Sequence, residues 1–475
     1  SKFIKMDTIC AIATPSGGAL GIVRVSGPQA ISATSEIFKP KGSMPLDQRH
    51  GGTITFGNII NPDTDELIDE VLISLFRSPH SYTGEDSCEI SCHGSEYILA
   101  QIVRLLLAQG CRMARPGEYT ERAFLNGKMD LSQAEAVADL IASTTEANHR
   151  MAMQQMRGGF SKELAQLRDQ LLHITSLLEL ELDFSDHEDL EFASRTELRD
   201  LAHEIHDHIS ALCQSFRLGN ALKRGIPVAI VGETNAGKST LLNALVGEER
   251  ALVSEVRGTT RDTIEETINV SGTLVRFIDT AGIRNTTDKV ERMGIDRTFA
   301  KISEADIVLW LVDLTQYQTQ YAELSANILP ATQGKQLIII LNKQDIVTPS
   351  TLTQAKNYLR SQLSTSDLDV KLLSLSAQKS EGIDQLHQIL TATLLKLQSA
   401  TTSAGTIVSN LRHYEALRAA LTAIDRVIDG LDNGLSGDFI SQDLRECIFH
   451  LSDIAGEVTT DEVLGNIFKN FCVGK

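Results

Sequence analysis

The chain has 475 residues, of which 42% are hydrophobic, and its formal net charge is −18 at pH 7. This length allows about three domains of ~150 residues, and the negative charge argues against indiscriminate nucleic-acid binding without excluding a local basic patch. No uninterrupted apolar segment is long enough to span a bilayer, and residues 1–7 lack the apolar core of a signal peptide. These features predict a cytoplasmic protein without a membrane anchor.

The seven cysteines are widely spaced, and their odd number is typical of free thiols in a reducing cytosol. Cys88 and Cys92 would lie on one face of a strand, because side chains alternate along it. No second pair of ligands is visible in the sequence. We therefore interpret both as small buried thiols rather than as a metal site.

Residues 1–128 are expected to form a mixed α/β domain. A helix is predicted over Ser95–Gln109, and strands are predicted over Ala19–Val25, Gly52–Phe56 and Glu70–Phe76. On the residues alone, the polar side chains of note are interpreted as surface charges or ion pairs; they are Arg24, Glu89, Arg122 and Lys128.

Residues 129–222 have helical periodicity. Apolar side chains recur there at spacings of three and four, at Leu164, Leu167, Leu171, Ile174 and Leu178. Such a stripe predicts a long helix that buries one face.

Residues 223–395 alternate strands with helices, which predicts a parallel sheet covered by helices. Its first strand ends in Gly232-Glu-Thr-Asn-Ala-Gly237-Lys238-Ser239, and helix-forming residues follow. This order of strand, glycine-rich loop and helix is the context of a P-loop. Its backbone N–H groups and the positive end of the helix dipole would hold a phosphate. Lys238 can reach the β- and γ-phosphates, and Ser239 can ligate Mg²⁺.

Three further motifs, each after an apolar strand, indicate guanine rather than adenine. In Asp279-Thr-Ala-Gly282, the aspartate would hold Mg²⁺ through water and the Gly282 N–H would sense the γ-phosphate. In Asn342-Lys-Gln-Asp345, the Asp345 carboxylate can accept both N–H groups of one guanine edge, which adenine lacks. In Ser376-Ala377, the Ala377 N–H could donate to guanine O6. All four motifs in order predict a guanine-nucleotide switch domain.

The switch segments differ from those of many small GTPases. Ile283 occupies the position where many of them have a glutamine that orients the attacking water. Glu291 and Arg284 are candidates to replace it, although Glu291 could equally form an ion pair with Arg292. No arginine finger is obvious. A monovalent cation held by the Asn235 side-chain carbonyl could supply the missing positive charge.

Residues 396–475 return to helical periodicity from Leu411 onward. Helical segments therefore flank the nucleotide domain on both sides. We expect them to pack together as one bundle with the nucleotide domain inserted between them, because the termini of inserted domains usually lie close together.

Segments along nearly the whole chain resemble the MnmE (TrmE) family of bacterial and organellar tRNA-modification GTPases. They are residues 13–27, 81–86, 115–128, 232–240, 258–262, 279–282 and 471–475. The 115–128 block and the terminal Phe-Cys-Val-Gly-Lys are the most specific. The chain departs from the family pattern at Glu233-Thr234, where Arg-Pro is expected, and at Ser254, where threonine is common.

The resemblance implies a multidomain fold, α/β and all-α. It comprises an N-terminal α+β folate-binding domain (1–128), a helical bundle of two segments (129–222 and 396–475) and an inserted Ras-like α/β P-loop domain (223–395). It further implies a homodimer built through the N-terminal domains, which bind 5-formyl- or 5,10-methylene-tetrahydrofolate. The implied partner is MnmG (GidA), which uses FAD and NADH. Together they would add an aminomethyl or carboxymethylaminomethyl group to carbon 5 of the wobble uridine in certain tRNAs.

The family pattern also assigns roles to single residues. Folate contacts fall on Arg24, Glu89, Lys128 and Lys475. Potassium falls on Asn235, Ser254, Val256 and Thr259, and Mg²⁺ falls on Ser239 and Thr260. Glu291 would position the water, and the other catalytic candidates are Lys238, Arg284 and Cys472. The nucleotide contacts are Asn235, Ala236, Gly237, Lys238, Ser239, Thr240, Ser254, Glu255, Val256, Arg257, Gly258, Thr259, Thr260, Asp279, Thr280, Ala281, Gly282, Asn342, Lys343, Asp345, Ser376, Ala377 and Gln378.

Two alternatives stay open on the sequence. Cys472 either acts as a nucleophile near the folate and tRNA chemistry or only packs. The chain is either a folate-dependent tRNA-modifying GTPase or a GTP-dependent ribosome or RNA assembly factor without covalent chemistry. An assembly factor would not need Arg24, Lys128 or the terminal residues 472–475, so folate binding separates the two.

Overall fold

A computed structural model describes residues 7–183, 195–250, 266–278, 302–364, 369–399 and 406–469, together with Phe471, Cys472 and Gly474. The chain divides into two compact units. The first comprises Ser1–Ala142, Ala152–Ile205 and Thr422–Lys475, and the second comprises Ser143–Met151 and His206–Leu421.

In the first unit, the described strands before residue 128 form a seven-stranded sheet. The strands are β1 (Ile9–Ile12), β2 (Leu20–Ser26), β3 (Phe38–Pro40), β4 (Thr53–Ile60), β5 (Leu67–Phe76), β6 (Ser87–His93) and β7 (Arg112–Met113). Their order is β3-β4-β5-β6-β2-β1-β7, and the pairs are antiparallel except β1 with β7. The helices are α1 (Ala30–Glu36), α2 (Glu96–Ala108) and α3 (Glu118–Leu125). The three strands and the helix predicted here are confirmed.

One face of this sheet forms the core of the domain, because alternate residues of its strands turn toward α1 and α2. Cys88 and Cys92 lie in that core, and burial raises the pKa of Cys88 to about 12 and that of Cys92 to about 11. Among the described residues, no cluster of three or more His, Cys, Asp or Glu side chains could hold a metal. The interpretation of both cysteines as buried thiols is confirmed.

A buried ion-pair network ties α3 to the sheet. Arg122 is only 5% exposed and donates to Glu85 at 3.1 Å and to Glu118 at 3.1 Å. Arg112 donates to Glu118 at 2.6 Å, and the Arg115 backbone N–H donates to the same carboxylate at 2.8 Å. Burial acts to raise the pKa of Glu118, but these donors outweigh it and hold the pKa at about 2. Arg122 is thus a member of buried ion pairs and not a surface charge.

The next four helices are α4 (Leu131–Ala142), α5 (Glu146–Met156), α6 (Gly159–Asp183) and α7 (Arg195–Arg224). The predicted apolar stripe lies on α6, and each of its five members is at most 3% exposed. The long helix predicted from that spacing is confirmed.

In the second unit, the described strands form a six-stranded sheet. They are β8 (Ile226–Val231), β9 (Glu266–Val270), β10 (Thr273–Phe277), β11 (Ile307–Asp313), β12 (Gln336–Asn342) and β13 (Val370–Ser374). Their order is β13-β12-β11-β8-β10-β9, and every pair is parallel except β9 with β10. The helices are α8 (Lys238–Arg250), α9 (Tyr317–Ala331), α10 (Pro349–Leu363) and α11 (Ile383–Ser399). Apolar cores cover both faces, which explains why β8, β11 and β12 are nearly continuous hydrophobic runs.

The last helices are α12 (Leu411–Asp432), α13 (Gly437–Ala455) and α14 (Asp461–Phe468). Within the first unit, α13 packs along α6, and ion pairs join Arg168 to Glu457 and Arg445 to Glu179. The two helical segments therefore pack together although the nucleotide domain separates them in the chain, as expected for an inserted domain. The residue boundaries given above for the four segments stay predictions.

Among the described helices, none combines the length and the hydropathy that a membrane span requires.

We predict that Glu118→Gln destabilises the first unit by about 3 kcal/mol at pH 7, because the buried Arg122 loses a charged acceptor. The pKa of Glu118 is lowered, so its stabilisation is present above the ordinary carboxyl pKa and is lost as the pH falls toward about 2. Urea denaturation followed by far-ultraviolet circular dichroism at pH 7 and pH 3 measures this. The fluorescence of Trp310 would not, because that residue lies in the second unit.

Glu121→Gln, also on α3, is the matched control. Burial raises the pKa of Glu121 despite its ion pair with Arg115, so its charge costs stability at pH 7 and the variant should be at least as stable as the unmodified protein. Equal losses in both variants would contradict the role given to Glu118.

Candidate functional site

The glycine-rich loop after β8 is pressed against neighbouring strands. Gly232 has φ +147°, and a Cβ there would lie 2.4 Å from the Leu311 carbonyl oxygen. Gly237 has φ +99°, and a Cβ there would lie 2.2 Å from Asn342 Nδ2. Both positions therefore require glycine for backbone conformation and for space.

Lys238 begins α8 and directs its ammonium into the loop. Its Nζ donates to the carbonyl oxygens of Gly232 at 2.7 Å and Glu233 at 2.8 Å. Ser239 follows in the first helical turn and is half-buried. The loop thus combines a cation, a hydroxyl and a helix N-terminus, which is the chemistry that binds a phosphate with its metal.

The side chain of Asn342 joins this loop to the segment after β13. Its Nδ2 donates to the Ala236 carbonyl oxygen at 2.8 Å, and its Oδ1 accepts from the Ala377 N–H at 3.0 Å. Asn342 is 3% exposed, so both bonds lie out of water. The Ala377 N–H, which the sequence assigned to guanine O6, is used by Asn342 here, and its contact with O6 stays a prediction.

Asp345 lies in the short helical turn Gln344–Ile346 after β12, next to Ser376. A hydrogen bond from the Ser376 side chain lowers the pKa of Asp345, so this carboxylate is ionised at neutral pH. The Gln344 N–H donates to the Leu375 carbonyl oxygen at 3.2 Å, which holds the two segments together. Gln378 follows on the exposed turn. An ionised, part-exposed carboxylate at this edge is suited to accept paired N–H donors.

The structure brings together the P-loop, Asn342, Asp345 and Ala377 at the carboxyl ends of β8, β12 and β13. Other predicted residues lie outside the described residues. They are Ser254, Glu255, Val256, Arg257, Gly258, Thr259, Thr260, Asp279, Thr280, Ala281, Gly282, Arg284, Glu291 and Lys475.

A second polar site lies in the first unit, on β2. Arg24 donates through Nε to Glu89 Oε1 at 2.9 Å, and its Nη2 lies 2.8 Å from the same oxygen. Its Nη1 donates to the carbonyl oxygen of Gly474 at 3.0 Å. The guanidinium carbon lies 5.8 Å from the ring centroid of Tyr82 and 5.5 Å from that of Tyr119. The chain terminus is thereby held beside the Arg24–Glu89 pair.

Lys128 and Cys472 lie near this second site. The Lys128 ammonium donates to the Pro79 carbonyl oxygen at 2.9 Å, in the loop that carries Tyr82. The Cys472 side chain is exposed, and its carbonyl oxygen accepts from the Gly117 N–H at 3.3 Å. Of the four predicted folate residues, Arg24 and Glu89 are in direct contact.

Sequence reasoning missed three residues that the structure adds. Tyr82 and Tyr119 flank Arg24, and both lie inside the segments 81–86 and 115–128 that carried the family resemblance. Asp313 contacts Lys343. In the sequence Asp313 follows the apolar run 307–312, and no local signal pairs it with a lysine thirty residues later.

A cavity of about 740 Å³ lies in the second unit at the amino-terminal ends of the parallel strands, where β8, β11 and β12 begin. Its lining includes Arg217, which pairs with Asp306, and Lys335, which donates to the Ser303 and Ala305 carbonyl oxygens at 2.8 and 2.6 Å. Arg217 and Lys335 already have partners, and the phosphate-binding motif lies at the carboxyl-terminal ends of the strands. This cavity is therefore not the nucleotide site.

Family models and full-length relatives of the same description match nearly the whole chain. The family model described as the MnmE helical domain matches residues 131–472, and the model described as the N-terminus of the GTP-binding protein TrmE matches residues 8–128. A Bacteroides thetaiotaomicron protein named tRNA modification GTPase MnmE is 58% identical over 474 residues, covering 99% of this chain and 100% of that protein. A Flavobacterium johnsoniae protein of the same name is 49% identical over 476 residues, covering 99% and 100%.

We predict that Gly237→Ala abolishes binding of guanine nucleotides, because the added methyl would meet Asn342 and the residue would have to keep a left-handed backbone. Fluorescent-nucleotide titration measures the loss. Gly247→Ala, in the same α8, is the matched control, since a Cβ there meets nothing within 4 Å. That change should leave binding intact and stabilise the helix by about 1 kcal/mol. Normal binding by the Gly237→Ala variant would contradict the assigned loop.

Proposed function

The chain belongs to the MnmE family of tRNA modification GTPases, and from that membership we propose that it works with a reduced folate and the partner MnmG on the wobble uridine. The chain is an enzyme, a GTPase that acts in tRNA modification and binds a guanine nucleotide with Mg²⁺. In our proposal its product is a 5-carboxymethylaminomethyl or 5-aminomethyl uridine in certain tRNAs.

The observation that carries the folate part is the Arg24–Glu89 pair beside the chain terminus. Both contacts between Arg24 and Glu89 use the Oε1 atom of Glu89. Among the described residues, no hydrogen bond engages its Oε2 atom. A carboxylate oxygen in this position can accept the N–H groups of a pterin edge, as Asp345 would for guanine. Tyr82 and Tyr119 supply aromatic surface next to it.

Two lysines suit the other end of a folate. A folate tail carries carboxylates, and Lys128 lies on the loop that carries Tyr82. Lys475, the last residue of the chain, follows Gly474, which Arg24 contacts. We assign pterin recognition to Glu89 with Arg24, which holds its carboxylate, and tail recognition to Lys128 and Lys475. When bound, the folate supplies the methylene carbon, and FAD and NADH act through MnmG.

For the nucleotide cycle, we propose that Ser239 and Thr260 ligate Mg²⁺ and that Glu291 positions the attacking water. The Asn235 side chain, with Ser254, Val256 and Thr259, would hold K⁺, whose charge replaces an arginine finger. Asn235 is exposed at the mouth of the loop and has φ +66°, a conformation that asparagine tolerates better than most residues.

We further propose that the protein is a cytoplasmic homodimer formed through the N-terminal domains (residues 1–128), with tRNA and MnmG as partners. The sheet face opposite α1 and α2 exposes Ile54, Phe56 and Leu72, which are 66%, 48% and 46% exposed. Phe56 and Leu72 are direct cross-strand partners, so these side chains form a contiguous apolar surface. Such surfaces are typical of protein interfaces.

We predict that GTP turnover is at least about tenfold faster in KCl than in NaCl, because K⁺ supplies charge that stabilises the transition state. Asn235→Gly should remove the difference while keeping the left-handed backbone, which Asn235→Ala would strain. Steady-state phosphate release in both salts measures it. Equal rates in the two salts for the unmodified protein would refute the cation role.

The proposed function is tested by replacing Arg24. We predict that Arg24→Gln abolishes binding of 5-formyltetrahydrofolate and leaves GTP turnover unchanged, because Arg24 lies in the first unit and the P-loop in the second. In cells that lack the native protein, this variant should leave wobble uridines unmodified, as measured by mass spectrometry of tRNA nucleosides.

Lys39→Gln is the matched control, because Lys39 forms an exposed pair with Asp65 on the same sheet, at 2.6 Å. Cells carrying it should modify tRNA normally. Full modification with Arg24→Gln would remove the folate assignment, and normal wobble uridines in cells without any copy of the protein would favour the assembly-factor alternative.

A further inference from the structure

Asp313 is the last residue of β11. It lies at the carboxyl-terminal ends of the parallel strands, where the guanine motifs also lie. β11 and β12 pair in parallel with Asp313 directly opposite Asn342. The Leu314 N–H donates to the Asn342 carbonyl oxygen at 3.1 Å. Asp313 is therefore fixed to the first residue of the Asn342–Asp345 motif, although none of the nucleotide motifs includes it.

Both oxygens of the Asp313 carboxylate are engaged. Oδ2 accepts from Lys343 Nζ at 2.6 Å, and Oδ1 accepts from the N–H and the hydroxyl of Thr315 at 2.9 and 2.7 Å. Its backbone N–H donates to Gln320 Oε1 at 2.8 Å. The side chain is 9% exposed. Rotation of this carboxylate would cost several of these bonds, so it is a rigid anchor.

The charge state of Asp313 suits this role. Burial acts to raise the pKa of Asp313, but the bonds from Lys343 and Thr315 outweigh it and lower the pKa. The carboxylate is therefore ionised at neutral pH and holds the ammonium by a charge-assisted bond.

Lys343 has an unusual conformation for its residue type. Its φ is +68°, in the left-handed region that a lysine seldom adopts. Its side chain is one-third exposed and runs back to Asp313 rather than out to solvent. Two residues later comes Asp345, the carboxylate suited to the guanine edge. The methylene chain of Lys343 therefore links the Asp313 contact to the backbone of the motif that carries Asp345, and it is the apolar part of that side chain.

We propose that Asp313 is a positioning residue for nucleotide binding, which holds the Lys343 ammonium so that the lysine's methylene chain forms a fixed surface for the purine ring. Asp313 does not itself contact the nucleotide. It raises affinity by removing the freedom that the lysine would otherwise lose on binding. Edge recognition by Asp345 is independent of it.

The test compares nucleotide affinity and turnover in Asp313→Asn. Loss of the charged anchor should raise the dissociation constants of GDP, GTP and inosine triphosphate by one common factor, on the order of tenfold. The KM for GTP should rise with them while kcat stays within about twofold, because the phosphate groups are bound elsewhere. A merely structural role would leave KM unchanged and lower only the melting temperature, and that result would overturn the proposal.

Lys343→Met provides a second variant that keeps the methylene stem without the ammonium. In the proposal Asp313 acts only through Lys343, so Asp313→Asn in the Lys343→Met background should weaken GDP binding no further. If the losses from the two changes multiply instead, the residues act independently and the proposal fails.

Asp306→Asn is the matched control. Asp306 lies just before β11, at the other end of the same strand, and pairs with Arg217. Its loss removes a more exposed ion pair from the same unit, and nucleotide affinity should stay unchanged. An equal loss of affinity in Asp306→Asn would show that any broken ion pair weakens the domain, and would also overturn the proposal.

Discussion

The nucleotide site depends on one buried amide, the side chain of Asn342. It donates to a backbone carbonyl oxygen of the P-loop and accepts from a backbone N–H of the segment after β13. These two contacts fix the distance between the part of the site that would hold phosphates and the part that would read the base. Gly237 has to be glycine because the same amide occupies the space where a Cβ would lie. A buried polar group with both ends engaged makes the arrangement rigid, since either bond would be costly to break away from water.

The parallel sheet explains why these parts meet at one edge. β8, β11, β12 and β13 are parallel, so the loops that follow them all emerge on the same side. The strands are covered on both faces, which leaves the strand ends as the place where polar side chains can gather without interrupting the core. Asp313 and Asn342 end adjacent strands and lie opposite each other. The Asp313 side chain contacts Lys343, and the Asn342 side chain contacts Ala236 and Ala377.

The first unit adds to its apolar core a second feature, the pairing of charges from distant segments. Arg24 on β2 contacts Glu89 on β6 and the backbone of Gly474, which is 450 residues away along the chain. The Arg122–Glu118–Glu85 network ties α3 to the sheet beneath it. The most specific blocks of the family resemblance, residues 115–128 and the terminal segment, thus belong to one folded unit. The two blocks are also in direct contact, because the Gly117 N–H donates to the Cys472 carbonyl oxygen.

The sequence by itself determined the chain's local structure and the type of chemistry it carries. The long helix α6, for example, followed from the spacing of its apolar side chains, because that spacing has a direct local cause in helix geometry. The preference for guanine was predicted from short motifs such as Asn342-Lys-Gln-Asp345, in which the functional residues lie within four positions of each other. The tertiary structure alone decided which distant groups meet. Asn342 bonds to Ala236, 106 residues earlier, and takes the Ala377 N–H, while Arg24 meets Gly474 and Asp313 meets Lys343. No local pattern encodes these pairs, because each arises only when the strands and termini that carry them have packed together.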